Sequence, residues 1–245
     1  MKKTLAFNWK MNPKKIDAAL ALAKASDFPQ AIIFPPFVFL EEAKKVLRQA
    51  GLGAQDLFWK NPEEDGSAYT GEVSGEELKN LGVTHVIVGH SERRQALGET
   101  DAIVARKLKT ALETGLTPIL CVGETKTEKE RGETENVLER QLEVGVSLIV
   151  SNVSLKKREL YIAYEPVWAI GTGMPETPED AETTIIFIKD FMNKNYKMKP
   201  RILYGGSVNS KNIKNYIQSK VIDGALIGGA SLTKEEVKAI VAVAE

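Results

Sequence analysis

Short runs of β-type apolar residues recur along the whole chain, at residues 5–9, 31–34, 53–55, 85–88, 118–122, 161–164, 202–204 and 225–227. They lack strict polar alternation, which suits strands buried on both faces. Between most of them, apolar residues recur at helical spacing. Ile16, Leu20 and Ala23 form one such set, and Leu40, Ala43 and Leu47 another. Ile103, Leu108 and Leu112 follow, then Val137, Leu142 and Val146, then the stretches 183–192 and 237–243. A β run followed by a helical pattern, repeated about eight times, is an α/β signature and predicts a parallel sheet. In 245 residues, that many units favour a closed (βα)8 barrel over an open, doubly wound sheet.

Helix-start chemistry supports the same reading. Ser74-Gly75-Glu76-Glu77 and Thr233-Lys234-Glu235-Glu236 both have the capping-box pattern. In Thr177-Pro178-Glu179-Asp180 a threonine caps, a proline occupies the first turn, and two acids face the positive helix end. No low-complexity tract or linker divides the chain, so residues 1–245 read as a single domain. The longest irregular stretch, 59–74, contains Asn61-Pro62-Glu63-Glu64-Asp65-Gly66. A loop that long in a compact domain is commonly functional, an interface element or disordered.

Composition narrows the choice of partners. A hydrophobic content of 43% is enough for a sizeable core. Lysine plus arginine equals aspartate plus glutamate, 33 each, so the formal net charge is zero. The bulk field therefore points to no nucleic acid and no acidic membrane, and an anionic substrate must be captured by local charge. The single Cys121 excludes an intrachain disulfide and fits a reducing compartment. No apolar run is long enough to span a bilayer. The segment after Met1-Lys2-Lys3 is too short and too polar for a secretory leader. The expected location is cytoplasmic.

In a parallel barrel the chemistry sits at the C-terminal strand ends. The first strand leads into Asn8 and Lys10, the fourth into His90-Ser91-Glu92, and the sixth into Glu165. The seventh leads into Gly205-Gly206-Ser207 and the eighth into Gly228-Gly229. Each has a structural reading: a solvated lysine, a satisfied histidine, a helix-leading carboxylate, tight turns. Converging on one mouth, they instead offer a lysine, an amide, a histidine, a carboxylate and two glycine-rich turns, the expected place for a phosphate in this fold. The stretch from Tyr164 to Gly173 is the richest. A carboxylate ends an apolar strand, a proline follows, and a loop with two glycines stands beside it, so one segment supplies a base and a lid. His85, earlier in the fourth strand, reads as structural. Two histidines and one cysteine without ligand spacing give no metal site. Cys121 lies inside an apolar strand and reads as an inert thiol.

Six segments then stand out together. They are Asn8-Trp9-Lys10-Met11-Asn12, Val88-Gly89-His90-Ser91-Glu92-Arg93-Arg94, Cys121-Val122-Gly123-Glu124, Tyr164 through Gly173, Tyr204-Gly205-Gly206-Ser207-Val208 and Gly228-Gly229-Ala230-Ser231-Leu232. In order and content they resemble the triosephosphate isomerase family over the whole chain. The resemblance implies a single-domain TIM barrel that interconverts dihydroxyacetone phosphate and D-glyceraldehyde 3-phosphate through an enediol(ate), in glycolysis and gluconeogenesis. It implies no cofactor and no metal. It implies Glu165 as the base, His90 as the electrophile, Lys10 as the cation that binds and stabilises the anion, and Asn8 as support for the oxygen site. Glu92 matches the family acid that pairs near Lys10. Gly171, Ser207, Gly228 and Gly229 match the positions whose backbone N–H groups hold the phosphate. A homodimer is implied, with Thr70 of the partner near Asn8 and Lys10.

The chain departs from the family pattern in three places. The third strand ends in Gln55-Asp56 where Gln-Asn is usual. The loop from Gln55 to Thr70 is longer than usual by roughly four residues, with Ser67 where glycine is common. The far hinge of the lid reads Met174-Pro175-Glu176 where Lys-Thr-Ala is frequent. The first two bear on the dimer interface and the third on lid kinetics. Two rival functions remain. An epimerase or aldolase acting on a phosphosugar would share the glycine turns, but would call for metal ligands, a second acid or a Schiff-base lysine, for which Lys10 is the strand-end choice. A non-catalytic barrel would not need Asn8, Lys10, His90 and Glu165 together.

Overall fold

A computed structural model describes residues 2–62 and 67–244. The strands are β1 Thr4–Asn8, β2 Ala31–Phe34, β3 Gly51–Ala54, β4 His85–Val88, β5 Thr117–Val122, β6 Tyr161–Tyr164, β7 Arg201–Tyr204 and β8 Gly224–Ile227. They close into a parallel barrel in chain order, with β1 paired to both β2 and β8. The expected (βα)8 architecture is therefore present. The main shift is at the third strand, where the ladder runs over Gly51–Ala54 and leaves Gln55 beyond its end.

Alternate residues along each strand face two different cores, which is why the strands read as unbroken apolar runs. Ala6, Ile32, Phe34, Ile87, Ile119, Cys121, Tyr161, Ala163, Leu203 and Leu226 form the inner cluster. Leu5, Phe7, Val86, Val88, Leu120 and Ile162 belong to the larger cluster that also takes in the helices. The inner packing demands a glycine at one point: a Cβ on Gly53 would lie 2.2 Å from the Phe34 ring.

The helix-start signals fare differently. Ser74 forms a complete capping box with Glu77 at the start of helix Gly75–Asn80. Thr177 caps helix Pro178–Tyr196, which extends well past the predicted 183–192. The box at Thr233 is only half made. The Glu236 N–H reaches Thr233 Oγ1 at 3.4 Å, but its carboxylate instead accepts from the backbone N–H and hydroxyl of Ser210, at 3.0 and 2.9 Å. A tertiary partner has overridden the local pattern. A further box joins Thr125 to Glu128, at the start of helix Lys126–Glu130.

In the long loop 59–74, residues 63–66 lie outside the described residues. The ends of the loop are tied by a cluster of tilted aromatic rings, with the Phe58 centroid 4.9 Å from that of Trp59 and 4.7 Å from that of Tyr69. Thr70 is exposed, and a Cβ on neighbouring Gly71 would meet nothing within 4 Å. Asp56 does not reach this rim. It is buried, with both carboxylate oxygens 2.7 Å from Lys107 Nζ and one 2.9 Å from Arg93. Glu99 shares both cations. The aspartate in place of the usual asparagine thus serves an internal charge network. Burial, only partly offset by Lys107, pushes the Asp56 carboxyl up to about 6.

Candidate active site

Following the inward-facing residues two steps further along their strands reaches the barrel mouth. Ala6 leads to Asn8, Ile87 to Gly89, Cys121 to Gly123, Ala163 to Glu165, Leu203 to Gly205 and Leu226 to Gly228. This layer carries one amide, one carboxylate and four glycines. The missing side chains leave a cleft of about 230 Å³, a size for a small ligand. Asn8, Lys10, His90, Glu165, Gly171, Ser207, Gly228 and Gly229 all line it. Glu92 does not; it is exposed, and its carboxylate pairs with Lys10 and lies 3.8 Å from His90 Nδ1.

Glu165 is placed by close backbone approach. A Cβ on Gly123 would lie 1.8 Å from the Glu165 carbonyl oxygen, and one on Gly205 would lie 2.9 Å from Glu165 Cγ. The Gly123 peptide is locked by Gln141, whose Oε1 accepts from the Gly123 N–H at 2.8 Å and whose Nε2 donates to its carbonyl at 3.1 Å. The Glu165 carboxylate is buried. One oxygen accepts from the Ser91 N–H at 3.2 Å and the other lies 3.1 Å from His90 Nε2. Burial alone would raise its pKa. The His90 ring and the Ser91 N–H outweigh burial and hold it below the usual carboxylate range. Cys121 sits beneath, fully buried, and burial followed by the Glu165 charge pushes its thiol far up, as an inert thiol requires.

His90 is the N-cap of helix Ser91–Ala96, and its Nδ1 accepts from the Glu92 N–H at 3.2 Å. Nδ1 therefore has no proton, and the neutral ring carries its proton on Nε2, facing Glu165. Burial disfavours a charge on the ring, but the adjacent Glu165 carboxylate outweighs it and raises the pKa in this resting arrangement.

Lys10 adopts φ 53°, in the left-handed region that is uncommon for non-glycine residues. Both sides of the residue are pinned. Its N–H donates to Asn8 Oδ1 at 3.0 Å, and Gln55 Nε2 donates to its carbonyl at 2.8 Å. Its ammonium pairs with Glu92 at 2.5 Å. Ser207, at φ 49°, is held in a similar conformation across the cleft, and its hydroxyl donates to the Ala169 carbonyl at 2.5 Å. That bond ties the lid to the seventh strand end. Within the lid, Gly171 and Gly173 have φ 70° and 72° with open space around them.

Sequence reasoning missed the supports. Gly123 stands inside one of the segments that resemble the family, but nothing in the sequence marks its close approach to residue 165. Gln55 stands out in the sequence only as part of the Gln55-Asp56 departure, and no local pattern marks Gln141 or the Ser91 N–H.

A sequence model described as triosephosphate isomerase matches residues 3–244. The chain belongs to the triosephosphate isomerase family. Enzymes of that name from Acidithiobacillus ferrooxidans and Aquifex aeolicus are each 42% identical to it over 252 residues, covering 98% of this chain and 96% and 99% of their own length. The triosephosphate isomerase of Dictyoglomus thermophilum is 43% identical over 244 residues, covering 94% of this chain and 95% of its own. This family match spans all eight strands and every residue lining the cleft. Among the described residues, no helix is long and apolar enough to cross a membrane.

Proposed function

We propose that this chain interconverts dihydroxyacetone phosphate and D-glyceraldehyde 3-phosphate, an aldose–ketose isomerisation in glycolysis and gluconeogenesis. The observation that carries the assignment of roles is the Glu165 carboxylate, poised 3.1 Å from His90 Nε2 in a cleft closed on the other side by glycine turns. Glu165 removes the proton from the carbon next to the carbonyl. The C–H electron pair forms the C=C bond of the enediolate, and the carbonyl pair moves to oxygen. His90 Nε2–H donates to that oxygen as charge develops, with Lys10 and Asn8 beside it. His90 then passes its Nε2 proton to that oxygen and takes the hydroxyl proton from the neighbouring oxygen, whose electron pair re-forms a carbonyl as protonated Glu165 returns its proton to the former carbonyl carbon. The backbone N–H groups of Gly171, Ser207, Gly228 and Gly229 hold the phosphate, which does not react. Glu92 acts through Lys10. Purified protein should turn over D-glyceraldehyde 3-phosphate in a coupled assay, and no turnover in either direction would overturn the reading. Borohydride reduction in the presence of substrate should trap no adduct on Lys10, whereas an aldolase would give one.

The same reading makes the protein a cytoplasmic homodimer. Exposed Met11, Val38 and Leu97 follow the ends of β1, β2 and β4, and the exposed tip at Thr70 supplies a projection that could enter a partner's site. Replacing residues 68–71 with a short flexible turn should give poorly active monomers in sedimentation. A fully active monomer would contradict the dimer.

A further inference from the structure

The two hinges of the lid meet at one ammonium. Lys129, on helix Lys126–Glu130, places Nζ 4.0 Å from the centroid of the Trp168 ring in the first hinge. The same Nζ lies 2.6 Å from Glu176 Oε1 in the second hinge. Glu176 is 3% exposed, and its other carboxylate oxygen is buried without a hydrogen bond. Its backbone is fixed on both sides: its N–H donates to the Tyr204 hydroxyl at 3.0 Å, and the Tyr216 hydroxyl donates to its carbonyl at 2.5 Å. The Trp168 indole N–H donates at 2.8 Å to Glu124, which is itself buried. One cation therefore serves an indole face and a buried carboxylate, with a second buried carboxylate at hand. A buried carboxylate without a counter-charge is costly, so Lys129 is strongly held where it is. The indole face gains a cation–π contact from the same position.

We infer that Lys129 is a positioning residue for the isomerisation, coupling the two hinges and holding the lid in its resting position. The inference rests on reading 168–173 as a lid that closes over substrate. Closing moves Trp168 off the ammonium, so ligand binding works against this contact. Removing it shifts the unliganded lid towards the closed form and tightens binding of a non-reactive ligand.

The test uses full-length enzyme carrying 5-fluorotryptophan, with the Trp168 fluorine signal assigned through Trp168→Phe. The probe is glycerol 3-phosphate, the substrate with its carbonyl reduced. In the unmutated protein, saturating probe should move the Trp168 signal; no movement would sink the lid reading and this inference with it. In Lys129→Met the free-state signal should lie closer to the bound position, and probe affinity should rise by about five-fold, the scale of a cation–π contact. Lys129→Arg should restore both. If the unmutated protein responds but Lys129→Met matches it in signal and affinity, the lid stands and the role of Lys129 falls. Should Lys129→Met fail to fold, Glu176→Gln removes the charge partner alone and should move the same two readouts in the same direction. An unchanged signal and affinity there would overturn the coupling.

Discussion

The two ends of β4 carry a histidine each, and the two rings are treated in opposite ways. At the start of the strand, His85 packs edge-on against Tyr161 at 5.8 Å and lies 2.8 Å from the Thr84 hydroxyl. Burial, with Arg201 nearby, lowers its pKa to about 4. Just past the end of the strand, His90 is more fully buried and faces the Glu165 carboxylate, which raises its pKa instead. Residue type and strand are the same; the difference lies in what the neighbouring strand ends present. The lower end offers a guanidinium and a phenol ring and accepts only a neutral imidazole. The upper end offers a base across the cleft. This matches the general division of parallel barrels into a stabilising bottom and a chemical top.

The largest test of that division is Glu165→Gln. It keeps the volume and removes the carboxylate, so turnover should fall by roughly 10²–10⁴-fold, while the thermal midpoint changes little. Near-native turnover would break the contrast at its upper end. Next comes Gly123→Ala. Its new Cβ would sit 1.8 Å from the Glu165 carbonyl oxygen, and forcing that much overlap costs about 1–3 kcal/mol or more. Stability and turnover should drop together, read by denaturant melts and the coupled assay; a variant as stable and active as the parent would show that Glu165 is positioned by something else.

The lower end is sharpened through pH. The unfolded His85 binds a proton near 6.5, while the folded ring resists until about 4. The folded state thus binds fewer protons between those values. Its stability from this group is present above 6.5 and is lost as pH falls towards 4, by about 3 kcal/mol in all. In His85→Gln the acid loss measured by urea unfolding should be shallower, and turnover at neutral pH should stay the same. A variant with the parent's acid slope would place the sensitive group elsewhere. The smallest expected effect belongs to the lid. Pro175→Thr frees the second hinge and should change lid opening and closing rates by about two- to five-fold, corresponding to about 0.4–1 kcal/mol. Identical relaxation rates at Trp168 would make Pro175 a spacer before helix Pro178–Tyr196.

Much of the molecule is legible in its sequence. Hydrophobic period is a local property, and it showed the repeated βα units, the doubly buried strands and their closure into a barrel. The C-terminal active face of a parallel barrel points to Asn8, Lys10, His90, Glu165 and the two glycine turns, the family resemblance implies the roles of Glu92, Gly171 and Ser207, and eight of the nine expected residues line one cleft. Only the tertiary structure decided the contacts among them. Glu165 meets the Ser91 N–H across 74 positions of chain, and Lys129 meets Glu176 across 47. Glu236 abandons its own capping box for Ser210, 26 positions away, and Asp56 turns inward to Lys107. Propensity and periodicity act over a few residues. Barrel closure brings distant strand ends within hydrogen-bonding reach, and the choice of partner there depends on which groups arrive buried and in need of one.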